Sequence, residues 1–207
     1  MTMAKSTTTR PRARPADSAR RREILDAATK VFADKGIVAA TVRDIGDRAG
    51  ILSGSLYHHF SSKEEMISEI LVPVVRSQVE AFDAIVADTR DPDQILRRLI
   101  AGAVAQTAAN PYVARILRHD SRHIPEMAGL DAVVKQQRAV MTRWTSAVKV
   151  GIASGRFRSD VDPLIVAWSI ADVVLGAYRF MKPVGRTPAD QVADQLAALI
   201  LDGLEVR

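Results

Sequence analysis

The sequence predicts an all-α fold, with a small N-terminal three-helix domain that contains a helix-turn-helix and a larger C-terminal helical domain. Apolar residues recur at helical spacing along most of the chain, and no segment alternates in the manner of a strand. Residues 41–62, TVRDIGDRAGILSGSLYHHFSS, hold two helix starts and a glycine turn, which is typical of a helix-turn-helix. The 207 residues fit that small domain plus a second of about 140. We expect a basic arm over 1–19. The helix-turn-helix domain, called here the head, is expected over 20–66, and the C-terminal helical domain, called the body, over 67–207.

The arm concentrates the positive charge of the chain. Residues 1–22 hold seven Lys or Arg and one Asp, whereas the whole chain has a net charge of +5. Because Thr, Ser, Pro and Arg dominate the arm, it cannot bury apolar surface and is predicted to be disordered when free. Arg20 and Arg21, next to the first helix, are predicted to enter a minor groove or neutralise phosphates. The alternative is a passive, solvated tail.

The helix-turn-helix is predicted from its caps and its apolar spacing. Thr41 caps the first helix, with Asp44 near the positive end of the dipole, and Gly50 allows the sharp turn that follows. The second helix begins near residue 53 and turns Leu56 and Phe60 inward together. Its outer side carries small donors and aromatic heads that suit a major groove: Ser53, Gly54, Ser55, Tyr57, His58 and His59.

These residues resemble the DNA-binding domain of the TetR family of bacterial transcriptional regulators, as do the preceding helix at 22–36 and the segment SSKEE at 61–65. The sequence departs from that family at Leu52, where a capping Ser or Thr is common, and at Gly46, where Ala is common. Gly46 lowers helix propensity by about 1 kcal/mol but lets the two helices approach closely.

The resemblance implies that a homodimer binds a palindromic operator in double-stranded DNA. Arg43 is the best candidate for a bidentate base contact, because the second helix lacks Arg, Asn and Gln on its outer side. Lys63 lies at a helix N-terminus, which attracts phosphate. Thr41, at the start of the first helix, completes the predicted DNA contacts.

Composition excludes several classes of protein. The chain has no cysteine, which excludes disulfides and thiolate metal sites. His58 and His59 are adjacent and would point about 100 degrees apart on a helix, so no metal site is predicted there. The most apolar segment, 163–178, contains Asp172 and is shorter than the roughly 20 residues that span a bilayer. We expect no cofactor, no metal, no membrane contact and a cytoplasmic location.

The body is predicted to consist of helices with clear start and stop signals. Ser61 and Glu64 form a capping box for the helix that leaves the head, and Pro73 predicts a kink or break within it. Further helices are predicted over 92–109, 112–118, 130–154, 162–181 and 189–204. The last two helices are apolar on more than one face, so each must pack against other apolar surfaces on more than one side. The resemblance implies that a homodimer partner provides one of these surfaces, and the alternative is a large intramolecular core.

The body is also predicted to bind a small-molecule effector. Its apolar lining is expected from Leu99, Met141, Trp144, Trp168 and Tyr178. An acidic group of the effector is expected to contact Arg118, Arg138 and Arg143, near further charges at Arg115, Arg122, His119 and His123. Segment 49–60, and more loosely Lys135 to Arg138, Trp144 and Gly155 to Arg158, resemble actinobacterial TetR-type repressors of steroid catabolism. That resemblance implies an acyl-coenzyme A thioester as effector.

Other interpretations of the body stay open. Each apolar residue named above is alternatively a core position, and each basic one part of a solvated rim. His119, Asp120, Ser121 and His123 contain the groups of a hydrolytic triad, although no strained nucleophile turn is visible around them. A DNA-binding protein without an effector is the third possibility, and it would not need so large a second domain.

Overall fold

The computed structural model describes residues 15–181 and 186–206. Helices dominate these residues, and no β-strand forms among them beyond two isolated bridges, which confirms the all-α prediction. No helix in the described ranges is long and apolar enough to cross a membrane. The α-helices of these ranges are α1 (Pro15–Lys35), α2 (Val42–Ala49), α3 (Ser53–Leu56), α4 (Lys63–Asp88), α5 (Pro92–Ala109), α6 (Pro111–Asp120), α7 (Asp131–Ala153), α8 (Pro163–Gly176) and α9 (Ala189–Leu204).

The starts of α1 and α4 differ from the prediction. α1 begins at Pro15, so residues 15–19 of the predicted arm are helical, while residues 1–14 lie outside the described residues. Proline suits a first turn, where its missing N–H has no helical partner in any case. The N-cap of α4 is Ser62 rather than Ser61: its hydroxyl accepts from the Glu65 N–H at 3.1 Å, and the Glu65 carboxylate accepts from the Ser61 N–H at 2.6 Å.

α4 runs from the head into the body as one helix, so of the predicted kink or break at Pro73 the break is absent. A proline inside a helix removes one backbone hydrogen bond, so the flanking turns need support from neighbouring elements. Next to Pro73, Gln106 of α5 also contacts α4, because its side-chain amide donates to the Val74 carbonyl at 3.0 Å. α4 is therefore a continuous connector between head and body.

Two apolar cores hold the molecule together. The first fills the head with residues such as Phe32, Ile45 and Leu56 and continues into the body through Ile116 of α6 and Val133 of α7. The second lies between α4, α5, α7, α8 and α9 and includes the edge-to-face pair of Phe82 and Trp144, with ring centroids 5.0 Å apart. The first core therefore contains residues from both sides of the predicted domain boundary at residue 66. As a result, α6 and the start of α7 pack directly against the head.

α8 and α9 each bury one side and expose another. On α8 the side with Ala167, Ile170 and Val174 is buried in the second core. The opposite surface, called here the outer face, exposes large apolar side chains: Ile165 and Val173 of α8 and Leu199 of α9. The intramolecular core thus covers only part of the apolar surface of these helices.

Candidate DNA-reading surface and effector cavity

The start of α2 is fixed by the capping box that the sequence predicts. The Thr41 hydroxyl accepts from the Asp44 N–H at 3.2 Å, and the Asp44 carboxylate accepts from the Thr41 N–H at 2.9 Å and its hydroxyl at 2.8 Å. Lys35 donates to the other Asp44 oxygen at 2.5 Å. The Lys35 ammonium and the Thr41 donors lower the pKa of Asp44 to about 2. This network sets the angle at which α2 leaves the turn after α1.

Two glycines set the distance between α2 and α3. Gly50 ends α2 with a φ of 66°, in the left-handed region where glycine has no steric penalty. Gly46 is buried, and a Cβ there would lie 2.9 Å from the Ile51 carbonyl oxygen and 3.4 Å from the Ser53 nitrogen. The predicted close approach of the two helices at Gly46 is therefore present in the structure.

The reading surface, meaning the exposed side of α2 and α3, carries most of the residues predicted to contact DNA. The Arg43 side chain is 86% exposed and lies only loosely against Asp47, at 3.9 Å. Gly54, Tyr57 and His58 are exposed, Ser53, Ser55 and His59 are half-buried, and Leu56 and Phe60 are buried as predicted. α3 is short, and a turn continues it through His59, whose N–H donates to the Leu56 carbonyl at 2.9 Å.

Three of the residues predicted to contact DNA make bonds within the head. The Arg21 guanidinium stacks 4.0 Å from the Phe60 ring centroid and donates to Glu65 at 3.0 Å, to Glu69 and to the His59 carbonyl. Arg20 pairs with Glu23 at 2.5 Å and donates to the Ala49 carbonyl at 3.3 Å. Lys63 donates to the carbonyls of Ile37 and Ala40 at 2.8 and 3.0 Å. The sequence shows that these three residues are basic. It does not show that carboxylates and carbonyl groups of the head accept hydrogen bonds from them.

The body contains a cavity of about 760 Å³ enclosed by α4 to α8. Four residues predicted to bind the effector line it: Arg138, Met141, Trp144 and Trp168. Its wall also includes residues that sequence reasoning missed: Val75, Gln78, Ala103, Thr107, Leu117, Ser121, Val134, Gln137, Val140, Thr142, Leu164, Ala171, Val174 and Leu175. Helical spacing marks such positions as inward-facing, but the gap left between packed helices has no sequence signal.

Four other predicted effector contacts lie outside the cavity wall. Leu99 is fully buried in the second core, which Tyr178 also contacts. Arg143 forms a bidentate ion pair with Asp83, in which its Nε and Nη2 atoms each lie 2.9 Å from one carboxylate oxygen. This pairing lowers the pKa of Asp83. The Arg118 guanidinium packs on Gly176, where a Cβ would lie only 1.7 Å from it. These side chains hold α4, α6, α7 and α8 together.

The polar groups of the cavity lie at two levels. Thr107 is only 4% exposed, and its hydroxyl has no hydrogen-bond partner among the described residues, unlike Thr142 and Thr145, which donate to carbonyls one turn earlier at 2.9 Å. Arg122, Arg138 and Asp172 are exposed and therefore form the mouth of the cavity. A ligand with an apolar body and an anionic group fits this arrangement.

α6 joins the cavity to the head. It continues through His119 to Asp120, two residues further than predicted, and the next residues, Ser121 and Arg122, line the cavity. Asp120 is 6% exposed and accepts a hydrogen bond from the Ile37 N–H in the turn between α1 and α2. Its Oδ2 atom is buried without a partner in the described structure, and burial raises the pKa of the carboxyl.

A second contact of α6 with the head runs through Asp34 at the end of α1. Arg115 of α6 and Arg48 of α2 both pair with the Asp34 carboxylate, at 3.2 and 3.1 Å. α6 is therefore linked to the head at two places, through Asp120 and through Asp34.

The predicted hydrolytic loop does not assemble a triad. Asp120 is directed to Ile37, and the Arg122 guanidinium donates to His123 at 3.0 Å. Within the described residues the Ser121 hydroxyl makes no hydrogen bond to either histidine, so no activated nucleophile is formed.

Known proteins match both parts of the chain. Residues 24–70 match the family described as "Bacterial regulatory proteins, tetR family", and residues 89–204 match "Tetracyclin repressor-like, C-terminal domain". The HTH-type transcriptional repressor KstR2 of Rhodococcus jostii (strain RHA1) is 35% identical over 187 residues, covering 90% of this chain and 92% of that protein. These matches span head and body together.

Solved structures share the architecture. The ketosteroid transcriptional regulator KstR2 of Mycobacterium tuberculosis has a TM-score of 0.79 at 33% identity, covering 91% of this chain and 96% of that one. AibR, solved in complex with isovaleryl coenzyme A and operator DNA, has a TM-score of 0.65 at 22% identity over 87% of this chain and 97% of its own. At that identity the second likeness concerns the fold alone.

Proposed function

Because the chain belongs to the TetR family of bacterial transcriptional regulators, we propose that it is a homodimeric repressor that an acyl-coenzyme A effector releases from a palindromic operator. The cavity is the observation that carries this proposal, since it offers an apolar space of about 760 Å³ with a charged mouth. Family membership makes the chain a transcriptional regulator rather than an enzyme, and the hydrolase alternative is not retained.

DNA recognition is assigned to the reading surface. Arg43 and Tyr57 are exposed and free to donate to base edges or phosphates. Ser53, Ser55, His58 and Thr41 are further candidates at the same surface, with Gly54 allowing close approach. Arg20, Arg21 and Lys63 act indirectly, by fixing α1, α3 and α4 relative to one another.

The homodimer is assigned to the outer face of α8 and α9. Its exposed apolar side chains would be covered by the same face of a second copy, which a two-fold axis makes self-complementary. Two heads would then be held about 34 Å apart, the distance at which two recognition helices read half-sites one turn of DNA apart.

The effector is assigned to the cavity. An acyl group would lie among Met141, Trp144 and Trp168, and the anionic phosphates of coenzyme A would lie at the mouth near Arg122 and Arg138. KstR2 is named a ketosteroid transcriptional regulator, and AibR shows that this fold accommodates isovaleryl coenzyme A.

Release from DNA is assigned to α6. An effector that binds better to a displaced α6 shifts the equilibrium toward that state, and only by its difference in affinity for the two states. Asp120 and Asp34 would transmit this displacement to the turn after α1 and to α2, and thereby change the separation of the two heads.

The DNA part of the proposal is tested by selecting binding sites from a random duplex library with the full chain. We expect a palindrome bound by one dimer, and Tyr57→Ala should weaken binding by about 1–3 kcal/mol with an unchanged melting temperature. Val150→Ala, on α7, is the matched control. Selection of no palindrome, or full affinity in Tyr57→Ala, would contradict the assignment.

The effector part is tested with isovaleryl-, stearoyl- and steroid-derived acyl-coenzyme A thioesters. The two tryptophans of the chain, Trp144 and Trp168, both line the cavity, so intrinsic fluorescence reports its occupation directly. We expect a thioester that alters this fluorescence to displace the selected duplex over the same concentration range. Displacement without a fluorescence change would place the effector elsewhere.

A further inference from the structure

Leu52 has two properties that the folding of the head does not explain. Its side chain is 81% exposed, although leucine contributes to folding mainly by burial. It also occupies the N-cap of α3, where Ser, Thr, Asp or Asn would satisfy a free helix N–H, and no side-chain cap is formed there. Helix stability alone therefore favours a different residue at this position.

The neighbours of Leu52 fix the direction of its side chain. The Ile51 N–H donates to the Gly46 carbonyl at 3.0 Å, and Ile51 packs against the head core. Ser53, on the other side, approaches Gly46 so closely that a Cβ at Gly46 would lie 3.4 Å from both its nitrogen and its hydroxyl oxygen. Because the residues on both sides face α2, Leu52 projects away from α2 into solvent in front of α3.

Gly54, two residues after Leu52, is likewise a residue that helix stability alone does not favour. A Cβ at Gly54 would meet no atom within 4 Å, and its φ is not positive, so the fold does not require glycine. Alanine would favour the helix. Open space in front of Gly54, beside a projecting leucine and next to exposed Tyr57, suits the close approach of another molecule.

We propose that Leu52 reads the C5-methyl group of a thymine in the major groove, with Gly54 letting α3 come close enough for contact. Thymine alone among the four bases presents a methyl group there, and an apolar side chain recognises it by excluding water. The inference rests on DNA recognition by the reading surface and adds a specificity-determining residue that makes no hydrogen bond to a base.

The test replaces thymine by deoxyuracil, which removes the methyl group and leaves base pairing unchanged. Each thymine of the selected duplex is replaced in turn in both half-sites, and affinity is measured by fluorescence anisotropy at fixed salt. The wild-type protein should lose about fourfold in affinity per half-site at one thymine position, the change that corresponds to one buried methyl group. Leu52→Ala should bind the thymine duplex more weakly and show no preference for thymine at that position.

Two further variants separate recognition from folding. Leu52→Ser supplies the missing cap, so its melting temperature should equal or exceed that of the wild type while its operator affinity falls. Gly54→Ala should likewise melt higher and bind more weakly, and Val150→Ala should change neither. A structural role for Leu52 would lower stability and affinity together.

Two outcomes would overturn the inference. In one, deoxyuracil has no effect at any position with the wild-type protein. In the other, Leu52→Ala suffers the same deoxyuracil penalty as the wild type, which would assign the methyl contact to another side chain. Absence of a selected duplex would instead contradict DNA recognition itself.

Discussion

Leu199 on the outer face gives the sharpest prediction about assembly. Its side chain is 71% exposed, so Leu199→Glu should change the stability of the folded protomer by no more than about 0.5 kcal/mol. Covering a leucine of this exposure in a dimer contributes about 1–2 kcal/mol, and a two-fold axis uses it twice. Its loss therefore costs about 2–4 kcal/mol per dimer, or roughly 30- to 1,000-fold in the dissociation constant. An unpaired carboxylate in the interface raises that cost further.

Sedimentation velocity over a range of concentrations measures this effect, with thermal unfolding as a check of the fold. Val150→Glu places the same charge on an exposed apolar position of α7, outside the outer face, and is the matched control. Leu199→Glu should be a folded monomer with much weaker operator binding where the control remains dimeric. A folded Leu199→Glu protein that dimerises like the wild type would refute the assignment of the interface.

Three further predictions follow from the body and the head. Asp120→Asn should stabilise the protein at neutral pH, because burial disfavours the charged form of the Asp120 carboxyl and the variant removes that charge. Since the folded pKa of Asp120 is raised, the wild type loses stability as pH rises from the unfolded pKa through the folded one, and the advantage of the variant in melting temperature should grow across that window. Arg138→Ala should raise the thioester concentration for half-maximal displacement about tenfold. Arg143→Ala should leave displacement unchanged, and it should lower the free energy of unfolding by at most about 1 kcal/mol, as expected for a partly exposed ion pair. Arg21→Met should lower both melting temperature and operator affinity, whereas a direct phosphate contact would lower affinity and its salt dependence alone.

Local signals made the head predictable from sequence. The cap at Thr41, the turn at Gly50 and the inward pair Leu56 and Phe60 each depend on residues within four positions, and the structure places them as expected. The close approach at Gly46 was predictable for the same reason, since only a missing Cβ permits it.

Partners distant in sequence were not predictable in the same way. Arg21 binds residues about 38 to 48 positions away, and Lys63 binds carbonyls of the turn after α1. A basic residue near a reading helix has the same sequence signature whether its charge faces DNA or a buried acceptor. The structure thus shows that two of the predicted phosphate contacts have acceptors within the head.

The cavity was predictable in kind but not in detail. The aromatic and sulfur-containing residues of α7 and α8 were identified because they are large and apolar, and Arg138 because it is a basic residue beside them. The contributions of α4 and α5, including Gln78 and Thr107, depend on how five helices leave a gap between them. Periodicity determines which face points inward, and it contains no information about where packing is incomplete.

The central claim, that occupation of the cavity changes the separation of the two heads, is tested most directly by a distance measurement between them. Because the chain has no cysteine, Asp26→Cys on the exposed side of α1 allows one spin label per protomer, and double electron–electron resonance then measures one distance per dimer. With the selected operator we predict a single narrow distance distribution, and addition of the displacing thioester should shift it by several ångströms. An unchanged distribution under conditions where anisotropy shows release of DNA would contradict the account.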